Sequence, residues 1–148
     1  MLGKPFPVVQ TQFNDVNGRF SPDGKWIAYQ SEESGRYEIY VIPFSRRGTA
    51  GKRQISSGGG VLPRWRRDGR ELSYIGPDNR FMAAELSTRD DSVEVGQVHV
   101  LFSVANLGAN SSYDVSIDGQ HFLHSVPPKQ KFSEPLTLIE NWPAALKN

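Results

Sequence analysis

Three stretches of the chain repeat one pattern around an Asp-Gly pair: FSPDGKWIAY over 20–29, WRRDGRELSY over 65–74 and VSIDGQHFLH over 115–124. Asp68 follows Asp23 by 45 residues, and Asp118 follows Asp68 by 50. Three before the Asp stands Phe20, Trp65 or Val115; four after it, Ile27, Leu72 or Phe122; six after it, Tyr29, Tyr74 or His124. Apolar residues at alternate positions on both sides of Asp-Gly spell a β-hairpin, because a tight turn needs positive φ and glycine adopts it at little cost. Asp23-Gly24, Asp68-Gly69 and Asp118-Gly119 are therefore read as structural repeat turns, each closing a two-residue hairpin.

Each hairpin is followed by a further run suited to a strand: YEIYVIPF over 37–44, the segment 80–86 after Pro77-Asp78-Asn79, and PLTLIE over 135–140. A fourth, outer strand fits at 52–56 and at 99–104. Four antiparallel strands recurring at about this period describe the blade of a β-propeller, and no segment carries the 3.6-residue apolar stripe of a helical solenoid. The expected fold is all-β, a partial propeller over 1–148 with blades at 14–60, 61–108 and 109–148. An orphan outer strand is expected at 5–13, and the third repeat is one strand short. Propellers close with about 4 to 8 blades. Three blades on their own leave two apolar faces in water, so the expected assembly is a homodimer. Two copies meet head to tail in a six-bladed ring, each N-terminal strand completing the other's last blade. A piece of a longer propeller is the alternative.

The stretch FSPDGKWIAYQSEESGRYEIYVIPF resembles the TolB-type, WD-repeat-like propeller motif, with its Ser-Pro-Asp-Gly turn and Ile-Tyr-Val strand. GGGVLPRWRRDGRELSYIGPDNRFMAAEL resembles the next blade, and YDVSIDGQHFLHSVPP with LTLIENWPAAL resembles the last blade of propellers appended to bacterial serine/threonine protein kinases. That resemblance implies a bacterial protein on either side of the membrane and a binding or regulatory role. The repeats depart from it where Arg66-Arg67 and Ser116-Ile117 replace Ser-Pro.

Composition narrows the chemistry. There is no cysteine, which removes disulfides, thiolate metal sites and thiol nucleophiles. Net charge is +1, and no run interleaves basic and aromatic side chains, so no nucleic-acid partner is expected. The apolar runs are too short for a membrane-spanning helix, and Pro5 and Pro7 interrupt any leader-like core. No cofactor, metal or catalytic residue is expected. Gly58-Gly59-Gly60 lacks the Lys-Ser/Thr pair of a phosphate loop and reads as a flexible connection. Asn14 to Gly18 starts like a calcium loop but lacks the distal Glu, and reads as a turn between blades. Ser, His and Asp can converge from anywhere in a fold, so His99, His121 and His124 stay open, although His124 occupies a packed column.

One basic group, Arg46, Arg47, Lys52 and Arg53, reads as a solvated rim. The other surrounds an inner strand: Arg64, Arg66, Arg67 and Arg70. Arg19 and Arg64 stand four before their repeat Asp, where the third repeat has Asp114. Inner strands line a propeller's axis, which makes Arg19, Arg64 and Asp114 the candidate site. Its ligand would be a protein, a peptide or a small anion, with mutual Arg–Asp neutralisation as the plainer role. The expected function is a non-catalytic binding module or scaffold. The alternative is a propeller that supports a kinase or hydrolase located elsewhere.

Overall fold

A computed structural model describes residues 3–44, 50–105, 107–108 and 111–125, and the backbone of 137–139. Its strands are β1 (Asp15–Phe20), β2 (Trp26–Ser31), β3 (Glu38–Pro43), β4 (Arg53–Gln54), β5 (Val61–Trp65), β6 (Glu71–Ile75), β7 (Arg80–Arg89), β8 (Ser92–Ser103), β9 (Tyr113–Val115), β10 (Phe122–His124) and β11 (Thr137–Ile139). They form three antiparallel sheets, ordered β1-β2-β3-β4, β5-β6-β7-β8 and β9-β10-β11. There is no α-helix among the described residues. Successive antiparallel sheets, each begun by an inner strand and built outward, are blades. The fold is a β-propeller of three blades, the third with three described strands. Arg46, Arg47 and the stretch NWPAALKN lie outside the described residues.

The repeat turns differ in build from two-residue hairpins. In blade 1 the Gly24 N–H donates to the Ser21 carbonyl, and Ser21 N–H donates to the Trp26 carbonyl, so the loop spans Pro22 to Lys25. Only the glycine has positive φ: 70° at Gly24, 69° at Gly69 and 73° at Gly119. The same pair of backbone bonds recurs from Arg66 and from Ser116. A longer loop prevails because the aspartate is spent holding it. Oδ1 of Asp23, Asp68 and Asp118 accepts the backbone N–H two residues on, at Lys25, Arg70 and Gln120.

Alternation along the middle strands sorts side chains into two inter-blade cores. Trp26, Ala28, Ile39 and Val41 of blade 1 meet Leu72, Tyr74, Ala84 and Leu86 of blade 2. The opposite face of blade 2, with Ile75, Phe81, Ala83 and Phe102, meets Tyr113 and Phe122 of blade 3. Phe81 lies 4.6 Å from Phe102 and 4.9 Å from Tyr113, ring centre to ring centre. Both faces of the middle strands are thus covered, which is why WIAY and IYVI are almost unbroken apolar runs.

Segment 5–13, expected as the outer strand that completes another copy's last blade, forms no ladder within one chain; its Val8 and Val9 pack against Ile27, Tyr29, Tyr40 and Ile42 of blade 1. Two expectations need correction. Asp15 to Gly18 is not a turn between blades but the start of inner strand β1, with Asn14 just ahead of it, and the strand's register breaks between Val16 and Arg19. Asn17 there has φ 57°. Lys52 is not merely solvated: its Nζ lies 2.6 Å from Glu33 Oε2 and 5.2 Å from the centre of the Tyr40 ring.

Candidate functional site

The inner strands share an irregularity. β5 breaks register between Val61 and Arg64 as β1 does between Val16 and Arg19, and Leu62 sits at φ 56°, the counterpart of Asn17. A bulge re-aims the side chains that follow it. Gln30 Oε1 joins the two bulges, accepting 2.9 Å bonds from Asn17 Nδ2 and from Leu62 N–H. Past the bulges, Arg19 pairs with Ala28, Arg64 with Ser73, and on β9 Asp114 with Leu123.

Those three residues border one cleft of about 530 Å³, with Ser112, Ser125 and the edge of His124. Arg64 is its fixed point. Nε donates to the Tyr113 carbonyl at 3.1 Å and Nη1 to the Pro63 carbonyl at 2.8 Å, and the guanidinium lies 5.4 Å from the centre of the Tyr113 ring. Burial and then the nearby Arg19 charge both lower the Arg64 pKa. The carboxylate expected to neutralise it stays distant: Asp114 Oδ1 is 4.0 Å from Arg64 Nε, and the Asp114 side chain is 78% exposed against 14% for Arg64. A contact so wet contributes little. Arg19 is exposed and its carbonyl accepts the Trp65 indole N–H at 3.1 Å, tying blade 1 to blade 2. Burial also pushes up the Tyr113 hydroxyl pKa. Tyr113 Oη and His124 Nδ1 are both buried without a hydrogen-bond partner among the described residues.

Ser, Asp and His do converge, at Ser116, Asp118 and His121, but in the wiring of a turn. Ser116 Oγ donates directly to Asp118 Oδ1 at 2.5 Å, and accepts the His121 backbone N–H. One ring nitrogen, Nδ1, faces both partners at 3.5 and 3.6 Å, whereas a base relay needs the carboxylate on one nitrogen and the nucleophile on the other. Blade 1 builds the same turn from Ser21 and Asp23 with no histidine. His124 sits in the inter-blade core, 6.4 Å from Phe81 between ring centres, and His99 is exposed on β8.

A second cleft, of about 790 Å³, was not read from the sequence. It opens between the Asp23 and Asp68 turns, with Trp65, Arg67, Arg70, Leu86 and Ser87 in its walls. Its signal was available in the replacement of Ser-Pro by Arg66-Arg67.

No family model and no curated protein matches the sequence. Solved structures do resemble it. The oligogalacturonate lyase of Vibrio parahaemolyticus superposes with a TM-score of 0.53 at 18% identity, over 70% of this chain. The β-propeller domain of the Trilobed protease of Pyrococcus furiosus, which has an open velcro topology, gives 0.47 at 20% identity over 86% of this chain. The chain spans 26% of the lyase and 41% of the protease chain. The likeness is one of fold. No helix among the described residues is long and apolar enough to cross a membrane.

Proposed function

We propose that the chain is a non-catalytic binding module that takes an anionic group, from a small molecule or a peptide, into the cleft of Arg19, Arg64 and Asp114. The observation that carries this reading is an under-neutralised pair of guanidinium groups. Arg64 is largely withdrawn from water and pinned by two carbonyls, Arg19 adds charge beside it, and the one carboxylate at hand among the described residues is at 4.0 Å and solvated. A bound carboxylate or phosphate would relieve that repulsion through charge-assisted hydrogen bonds. The Ser112 hydroxyl at the rim offers a further donor, while that of Ser125 donates to the Ser112 carbonyl.

Thermal-shift titration with citrate, inorganic phosphate and a galacturonate oligomer tests it, the last because a lyase of such polymers shares the fold. At least one anion should raise Tm at low salt, and Arg19→Glu, on an exposed side chain, should abolish the rise while still folding. If no anion moves Tm, or if the rise survives both Arg19→Glu and Arg64→Gln, the reading is wrong. The six-bladed ring of two copies is part of the same proposal. The face formed by Ile27, Tyr29, Tyr40 and Ile42 carries the same columns that Leu72 and Phe122 bury against a neighbouring blade. Joining two copies there requires Val8 and Val9 to lift away.

A further inference from the structure

The two bulges that precede Arg19 and Arg64 hang on one buried side chain. Gln30, on β2, is 5% exposed, and its Oε1 accepts Asn17 Nδ2 at 2.9 Å and the Leu62 backbone N–H at 2.9 Å. Asn17 lies in the register break of β1 and Leu62 in that of β5, each two residues before its arginine. The bond to Leu62 crosses from blade 1 to blade 2. A second tie, from the Trp65 indole to the Arg19 carbonyl at 3.1 Å, holds the backbone at the arginine itself.

Among the described residues this coupling of bulges belongs to one pair of blades. Seven after the repeat Asp stand Gln30, Ile75 and Ser125. Ile75 has no polar atom with which to reach blade 3, and is buried in the core between blades 2 and 3. Ser125 Oγ serves its own blade, accepting the Ser112 N–H at 2.9 Å. The coupled pair is the pair whose arginines share a cleft.

Arg64 offers an incoming anion less than a whole guanidinium. Nε and Nη1 already donate to the Tyr113 and Pro63 carbonyls, which leaves Nη2 as the nitrogen with no hydrogen bond to a described residue. The Arg19 guanidinium makes none either. A ligand that engages both arginines well therefore carries two anionic groups, one for each. The span it must bridge depends on how β1 and β5 are held together.

We propose that Gln30 is a positioning residue for this cleft. By tying the bulge before Arg19 to the bulge before Arg64 it sets the separation of the two cations, and so selects dicarboxylates of one carbon-chain length. The inference rests on the anionic reading of the cleft and adds the ligand class to it. Gln30 acts through the backbone of the two inner strands, since a bulge re-aims the side chains that follow it.

Malonate, succinate, glutarate and adipate carry the same two charges at growing separation, so their relative affinities read spacing while charge stays constant. In calorimetric titrations at neutral pH and fixed ionic strength, the parent should favour its best length over its worst by at least about tenfold, roughly the worth of one charge-assisted hydrogen bond. Gln30→Leu, which removes the acceptor, should compress the series to within about twofold. Asn17→Gly keeps the positive φ on an exposed position and cuts only the β1 half of the tie; it should compress the series too, and the double variant should do no more than Gln30→Leu alone. If Gln30→Leu does not fold, Asn17→Gly decides. A parent that binds none of the four acids overturns the anionic reading, and this inference with it. A parent that binds them without regard to length, or a preference that survives in the folded variants whatever their overall affinity, overturns the positioning role alone.

Discussion

The repeat aspartates carry the chain's clearest acid response. Asp23, Asp68 and Asp118 are each held below the usual carboxylate range: a serine hydroxyl does this for Asp23 and Asp118, the Arg66 guanidinium for Asp68, and backbone N–H groups assist. A carboxyl whose folded pKa is depressed contributes stability that is complete above its unfolded value, about 3.9, and drains away as pH falls through the folded value. Tm should therefore fall as pH drops below about 4, gently because all three carboxylates are solvated. Asp68→Asn should melt lower at neutral pH yet lose less on acidification, and identical slopes for parent and variant would refute the assignment. The glycines beside these aspartates separate backbone strain from crowding. Gly24→Ala meets open space and suffers only its positive φ, about 1–2 kcal/mol. Gly119→Ala has the same φ problem and also presses on Arg66, so urea unfolding should show the larger loss there. Asp-Gly was legible as a turn; that an arginine could do the work of a serine was not, because a spacing pattern records position and not reach.

At the level of elements, three consecutive glycines turn out to serve the chain itself. Glu38 is buried at the start of β3, and its carboxylate accepts the Ser56 hydroxyl and, at 2.8 Å, the Gly59 N–H. Ser56 Oγ accepts in turn the Ile39 N–H at 2.8 Å. Gly60 lies so close that a Cβ there would stand 2.5 Å from Ser56 Oγ. The connection is a cradle for an internal carboxylate, where sequence suggested only a flexible link. Ser56→Ala would leave both a buried carboxylate oxygen and a buried N–H unanswered, at about 1–3 kcal/mol for each. Chemical denaturation should show a loss well beyond that of Ser57→Ala, a neighbouring exposed position. The inner-strand bulges were half legible. Asn17 tolerates positive φ and stands before a glycine, but Leu62 carries no such hint, and its φ of 56° accompanies a bulge of its own, where its N–H is held by the same Gln30 oxygen that holds Asn17. Position relative to the repeat Asp was enough to bring Arg19, Arg64 and Asp114 to one cleft, since strand pairing preserves spacing. The weakness of the Arg64–Asp114 contact depended on exposure, which no spacing encodes.

Across the whole molecule, blade 2 is enclosed on both faces and blades 1 and 3 on one face each by another blade. In repeat architectures each unit leans only on its neighbours. Amide hydrogen exchange should accordingly be slowest in β6 and β7, and faster in β9 and β10; equal protection throughout would contradict this view of the array. The proposed ring predicts a solution mass of twice 16.5 kDa, measurable by light scattering, and a monomer at micromolar concentration would dismiss it. Blade count and order followed from periodicity alone, whereas the packing of 5–13 did not, because a lone extended segment takes whatever surface is nearest. One more consequence concerns β8, twelve residues long and outermost in its sheet, with Val98 and Val100 showing to solvent. Its pairing with β7 slips twice, between Phe81 and Met82 and between Ala84 and Leu86. Those slips crook the rim, so a foreign strand laid along it would lose its rhythm within a few residues, which disfavours edge-to-edge pairing along the longest of the described strands.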